Sequence, residues 1–385
     1  MGGPLNGWWR WWPITLPEVP LLCVTVNSPG EIYYWLSPLL EALSGSPLPL
    51  RVWVFAPPCQ FRCGREEEII RGLPLVERVF GPRETLNLCW GETRMSLPLR
   101  GLILFMGGDL LYARMLKGRS GYPLWVYDGY PRRFRGVDLY LARFREDFLS
   151  SSFPKKVFLG DLLRSATLRP LCSLALPEGS PRFLFLPGSR LFAYSYLLPF
   201  FTLCAEDLSL RFPGAVFVLS LPGHFRPEEI PHLEEAKRRF HIFFGFISEL
   251  IASANFVVTV PGSNNFEILY RKKPALVLLP LWKGAVEKVP IMGVGEILGK
   301  IPLWGTIVKR ALIKRMVYSS SFIALPNRVL GKEVLPELRG DIKVEEIVER
   351  VVALLGKCEP SFNEEDFPPD AVQRLVEIVL EELYG

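Results

Sequence analysis

Two short turns carry the residue types best suited to chemistry in this chain. Pro187-Gly188-Ser189-Arg190 and Pro261-Gly262-Ser263 each follow an apolar run and each open a helical pattern. A helix start reached through a Gly-Ser turn presents backbone N–H groups without intrahelical acceptors, and the helix dipole favours an anion there. Arg190 adds a fixed planar cation suited to phosphate or pyrophosphate. Beyond the second turn come Asn264, Asn265 and Glu267, and the glutamate stands one helical turn in, where a carboxylate can meet sugar hydroxyls beside a phosphate. The same stretch also fits an ordinary βαβ unit with a capped helix, so the rest of the chain has to decide.

The elements that must position these turns read as two alternating series. Apolar, β-prone runs at 21–26, 50–55, 76–80, 101–106, 124–127 and 137–141 alternate with helical patterns at 32–43, 66–71 and 110–117. After a Pro- and Gly-bearing linker at 171–182, strands at 183–186, 215–220, 241–245, 257–260 and 275–279 alternate with helices at 191–208, 227–240 and 247–254. Pro199 is expected to kink or shorten its helix. Closing helices follow at 344–355 and 371–383, the last one amphipathic and able to pack across the domains. Alternation of this kind predicts an α/β fold of two doubly wound, Rossmann-like domains facing a cleft, with ligand groups at the strands' C-terminal ends. The expected division is a Trp-rich leader over 1–20, a first domain over 21–175, a second over 176–355 and a closing helix over 356–385.

Composition narrows the function classes. The 385 residues are 49% hydrophobic and 22% charged, with a net charge of +5, which describes a well-packed globular chain too long for one core. The charge tolerates an anionic substrate or membrane surface, and no nucleic-acid-binding signature is evident. Seven scattered cysteines and three histidines offer no zinc spacing; Cys59 and Cys63 lack a second pair. Buried thiols in a cytosolic protein are the expectation, with no metal and no cofactor. No run is long and apolar enough to span a bilayer, and the N-terminus lacks signal-peptide order. Trp8, Trp9, Trp11 and Trp12 fit a membrane interface, a loose leader, or packing on the first domain. The run 301–318 reads as a basic amphipathic helix, either membrane-surface or core-facing. Arg114, Lys117, Arg119, Arg132, Arg133, Arg135, Arg143 and Arg145 make the end of the first domain basic, suiting anionic headgroups or a plain solvated face.

Five segments in order resemble the lipid-A-disaccharide synthase family, glycosyltransferases of the two-domain GT-B fold. Leu186-Pro187-Gly188-Ser189-Arg190 with Leu197-Leu198-Pro199 is similar to the family's LPGSR…LLP, and Gly262 to Glu267 to its GTATLE. Leu325-Pro326-Asn327 with Val334-Leu335-Pro336-Glu337-Leu338 resembles its LPN…VPELL, the most specific match. Gly30-Glu31 resembles the start of its GE-x-SGD turn, and 106–117 aligns loosely with its PDFN…LK region. The resemblance implies transfer of an acylated glucosamine from a UDP-sugar to a lipid-linked sugar acceptor, lipid X, with inversion and release of UDP. It implies a cytoplasmic protein peripherally bound to the inner membrane. Gly188, Ser189, Arg190, Gly262, Ser263, Asn264, Asn265 and Glu267 would hold the donor. Asp109 would be the base that takes the acceptor's proton, with Glu31 or Asp128 as alternatives. The first-domain motifs depart from the family: Ile32-Tyr33-Tyr34-Trp35 follows Gly30-Glu31, and Ala193 stands where a glutamate is expected. A diverged glycosyltransferase for another glycolipid, a UDP-GlcNAc 2-epimerase-like isomerase and a non-catalytic nucleotide-sugar binder therefore stay open.

Overall fold

A computed structural model describes residues 18–58, 64–91, 96–128 (without the Asp128 side chain), 135–281, 321–357 and 359–385. Residues 1–17 of the Trp-rich leader, Cys59, Cys63, Arg132, Arg133 and the 301–318 run lie outside those residues.

Two parallel sheets form the frame. The first contains β1 (Leu21–Thr25), β2 (Arg51–Phe55), β3 (Val76–Phe80), β4 (Gly101–Phe105), β5 (Leu124–Asp128), β6 (Leu139–Ala142) and β7 (Lys156–Phe158), in the order β3-β2-β1-β4-β5-β6-β7. The second contains β8 (Arg182–Leu186), β9 (Val216–Leu221), β10 (His241–Phe244), β11 (Phe256–Thr259), β12 (Ala275–Pro280) and β13 (Glu337–Gly340), in the order β10-β9-β8-β11-β12-β13. Parallel strands need crossovers, and helices on both faces bury both sides of the central strands, which is why those strands read as continuous apolar runs. In β1 the alternation divides the core. Leu22 and Val24 pack with Leu39, Leu40, Leu102 and Leu104 on one face, while Leu21 and Cys23 pack with Leu88, Ile103, Phe105 and Ala113 on the other.

In each sheet the strand order reverses once, at β1/β4 in the first and at β8/β11 in the second. Their ends are level: Thr25 pairs with Phe105, and Leu186 with Thr259. Loops leaving two neighbouring strands in opposite directions open a crevice at such a point. The turns singled out from the sequence leave β1, β4, β8 and β11, the four strands that flank the two reversals.

Some elements differ from expectation. The helix Leu191–Arg211 runs through Pro199 without being shortened. The region expected as one helix over 227–240 is a 3-10 turn, Pro227–Glu229, and a short helix, Leu233–Ala236. Pro231 and the left-handed His232 (φ 60°) separate them. Helix Pro82–Trp90 and strands β7 and β13 were not anticipated. The last helix, Ala371–Tyr384, returns to the first domain, where Leu375, Val379 and Leu383 join the core beside β1 and β4.

Candidate functional site

At the edge of the first sheet, Ser28 caps the helical segment after β1, accepting from the Glu31 N–H at 3.4 Å. Glu31 returns the contact through Oε2, which accepts from the N–H groups of Asn27 (2.9 Å) and Ser28 (3.2 Å). This reciprocal cap fixes the turn. The Glu31 carboxylate lies where a side chain at position 107 would have to go: a Cβ on Gly107 would stand 1.9 Å from Oε2, so a larger residue there would displace the carboxylate from its cap. Asp109 caps the helix Leu110–Ser120, its Oδ1 accepting from Leu111 N–H at 2.9 Å, and it is exposed. Both acidic candidates thus lie at the β1/β4 reversal, Glu31 bound into the turn and Asp109 open to solvent.

The second sheet presents its two turns side by side. Gly188 has φ 87°, a conformation that favours glycine, and a Cβ there would meet Val260 Cγ2 at 3.1 Å. Buried Tyr194 donates its hydroxyl to the Gly188 carbonyl at 2.6 Å and holds this turn from below, leaving Ser189 and Arg190 exposed at the helix start. In the neighbouring turn, Asn265 is wholly buried. Its Oδ1 accepts the Gly262 N–H at 3.1 Å and its Nδ2 donates to the Val260 carbonyl at 3.1 Å. Asn264 donates to Thr259 Oγ1 at 3.3 Å. The Gly262 N–H, expected to face a phosphate, is therefore taken by Asn265, whose amide shapes the turn from inside.

The two edges face each other. A Cβ on Gly30 would stand 3.4 Å from Ser263 Oγ, which brings the first domain's Gly30-Glu31 turn against the second domain's Gly262-Ser263 turn. One helical turn deeper, Tyr34 donates to Glu267 Oε2 at 3.1 Å, and Arg271 Nε meets Glu267 Oε1 at 2.9 Å. Glu267 is wholly buried. Expected to meet sugar hydroxyls, it is engaged through both oxygens and closed off, because the helical segment after β1 packs directly on its helix. Burial, then the Glu267 carboxylate, pushes the Tyr34 phenol well up, so it stays protonated and donates. Tyr34, together with Phe144, Leu163, Phe266, Tyr270 and Phe367, forms an aromatic core shared by both domains.

Asp161 anchors that core. Wholly buried, it receives Arg143 through both oxygens (2.9 Å each) and the Tyr270 hydroxyl at 2.6 Å. The Arg143 guanidinium also lies 4.6 Å from the Phe144 ring centre and 4.8 Å from that of Phe266. Arg143, expected on a basic surface, is thus an interior partner of Asp161. Lys117 is paired with Asp138 at 2.6 Å, while Arg135 is exposed. Tyr34, Asp161 and Tyr270 escaped the sequence reading, since partners 233 and 109 residues apart leave no local spacing. The available signal was an Asp before Leu162-Leu163, the mark of a helix cap.

The segment carrying the most specific resemblance is structural. Asn327 is wholly buried and fully bonded. Its Oδ1 accepts from Val334 and Leu335 N–H (2.8 and 2.9 Å), and its Nδ2 donates to the Leu335 carbonyl (2.7 Å) and Glu337 Oε1 (2.6 Å). Glu337 in turn accepts from the Ile323 and Ala324 N–H groups at 2.6 and 3.2 Å. This knot holds 323–327 against β13. Among the described residues, no three His, Cys, Asp or Glu side chains gather as metal ligands, and no helix is long and apolar enough to cross a membrane. Cys23, Cys89 and Cys204 are buried thiols and Cys172 is exposed; burial pushes Cys23 up to about 12.

No protein-family model matches the chain. Among characterised sequences it is similar to the lipid-A-disaccharide synthase of Pseudomonas putida, 27% identical over 199 residues, covering 51% of this chain and 46% of that protein. The chain thus spans about half the length of the relatives it matches. Among solved structures it resembles the UDP-GlcNAc 2-epimerase of Methanocaldococcus jannaschii (TM-score 0.56, 12% identity, 94% of this chain and 100% of the other). It also resembles the calicheamicin glycosyltransferase CalG4 (TM-score 0.51, 14% identity, 94% of each chain). At such identities the structural likeness speaks for the fold. The chain has two Rossmann-like domains in the GT-B arrangement and, over about half its length, is similar in sequence to the lipid-A-disaccharide synthases.

Proposed function

We propose that this chain is an inverting glycosyltransferase that moves an acylated glucosamine from a UDP-sugar to a lipid-linked sugar such as lipid X. The observation that carries this reading is the meeting of the two sheet reversals, with Gly30 of the first domain against Ser263 of the second. The sequence similarity to the lipid-A-disaccharide synthases supports this choice of substrate class. On the donor side, exposed Ser189 and Arg190 receive the pyrophosphate with Gly188, Ser263 and Asn264, while Gly262, Asn265 and Glu267 hold the turn's shape from beneath. On the acceptor side, Asp109 takes the hydroxyl proton as the acceptor oxygen bonds to the anomeric carbon. The bond from that carbon to the UDP oxygen breaks, UDP leaves with the electron pair, and Arg190 offsets its charge. Glu31 sets the turn. Asp109 is favoured as the base because it is exposed, whereas Glu31 Oε2 is engaged by two backbone N–H groups in the turn. Exposed Arg135 and its basic neighbours suit a cytoplasmic protein resting on the anionic inner membrane.

The test is incubation with UDP-2,3-diacylglucosamine and lipid X, following UDP release and disaccharide by mass spectrometry. Asp109→Asn should lower turnover by roughly two to four orders of magnitude with UDP affinity retained. Undiminished turnover would move the base to Glu31 or Asp128. UDP binding without any disaccharide would refute this transfer. Conversion of UDP-GlcNAc to its 2-epimer would favour an isomerase, the activity named for several proteins of similar fold.

A further inference from the structure

Away from the Tyr34–Glu267 and Asp161–Tyr270 contacts, another bridge joins the domains. Arg65, at the start of helix Glu66–Arg71 in the first domain, reaches the loop after β9 in the second. Its Nη2 meets Glu229 Oε1 at 2.8 Å, and its Nη1 donates to the His224 carbonyl. Glu229 holds the same loop from inside, its Oε2 accepting the Arg226 N–H at 3.2 Å. Between those two grips lies Phe225, nine-tenths buried, with the His224 ring 4.6 Å away and the Tyr194 ring edge-on at 5.7 Å. Tyr194 is the residue whose hydroxyl holds the Gly188 carbonyl. A continuous line of contacts thus runs from Arg65 through Phe225 and Tyr194 to the turn at 187–190.

We propose that Arg65 is a positioning residue for that turn: by gripping the 222–229 loop from the opposite domain, it sets where Gly188, Ser189 and Arg190 stand. As an isolated ion pair, Arg65–Glu229 contributes little, with side chains 23% and 40% exposed. Its effect is geometric. The guanidinium fork binds a carboxylate and a carbonyl together, which a lysine ammonium on one flexible stem does not reproduce. Phe225 and Tyr194 are packed too closely to absorb a shift of the loop without passing it on. A displaced turn misplaces the groups that meet the pyrophosphate, and small displacements there are costly. This role rests on the reading of 187–190 as the donor turn, whereas the mechanical link does not.

Two measurements separate these parts. Hydrogen exchange on the ligand-free protein should show faster exchange over 187–194 as well as 222–229 in Arg65→Ala. Arg65→Lys should give a smaller effect, and Tyr194→Phe should affect 187–194 alone. Unchanged exchange over 187–194 in Arg65→Ala would overturn the proposal. In parallel, UDP titration should give binding roughly three- to tenfold weaker in Arg65→Ala, with Arg65→Lys between it and the parent. UDP affinity equal to the parent's would refute the positioning role even if exchange changes. No UDP binding by the parent protein would instead remove the donor reading and leave the exchange result to decide the link.

Discussion

Asp161→Asn is the sharpest test of how the two domains are held. The carboxylate is wholly buried, with Arg143 on both oxygens at 2.9 Å and Tyr270 of the other domain donating at 2.6 Å. The amide keeps the shape and an oxygen for Tyr270, but leaves the Arg143 guanidinium, its side chain only 10% exposed, without an opposing charge. Unit charges about 4 Å apart attract by roughly 4 kcal/mol at an effective dielectric near 20. Breaking one side of a buried pair is measured at about 3–5 kcal/mol. Asp161→Asn should therefore cost about 3–4 kcal/mol, a large share of the roughly 5–15 kcal/mol that holds a typical native state. Arg143→Met should cost a similar amount because it strands the carboxylate. The double variant should recover about 2 kcal/mol relative to the sum, since no unpaired charge remains. Urea unfolding read by fluorescence measures all three, with the slope checked for a constant unfolding reaction. A cost under about 1 kcal/mol for Asp161→Asn, or strict additivity in the double variant, would refute the argument.

Asn327→Ala should destabilise by about 3 kcal/mol, because it orphans the Val334 and Leu335 N–H groups and the Leu335 carbonyl while opening a small cavity. Thermal unfolding checks this, and a near-neutral result would mean that the knot is not what holds β13. His224 gives a pH dependence. Burial, chiefly, and nearby Arg65 lower its pKa from the ordinary 6.5, against the opposing pull of Glu66 and Glu229. A histidine whose folded pKa lies below its unfolded value adds stability that is complete above about 6.5 and lost as pH falls through the lower folded value. The parent protein should lose melting temperature across that interval, and His224→Gln should lose less. Equal slopes in the two proteins would count against the assignment.

Much of the frame was legible in the chain itself. The apolar runs at 183–186 and 257–260 marked strands because parallel strands are buried on both faces, and the Gly-Ser turns marked where those strands end. Local preference failed at 227–240, where charge suggested one helix but Pro231 and His232 break it. It also missed β7 and β13, which are too short to carry a period. The site was less legible. Glu267 and Asn265 looked like ligand groups because they stand near a helix start. Which way such a side chain is used depends on what packs over it, and Tyr34 lies 233 residues away. Arg143 looked solvated for the same reason, since its partner Asp161 is brought to it by the pairing of β6 with β7.

By itself, then, the sequence determined two series of parallel strands and the turns that end them, because those depend on backbone geometry and on burial repeated over a few neighbouring residues. The tertiary structure decided that those turns meet in pairs at the two sheet reversals. It also decided that Glu267, Asn265 and Asn327 brace the structure from within while Asp109 and Ser189 are exposed. Packing across the domains assigns each polar group either a protein partner or the solvent, and no local pattern carries that choice.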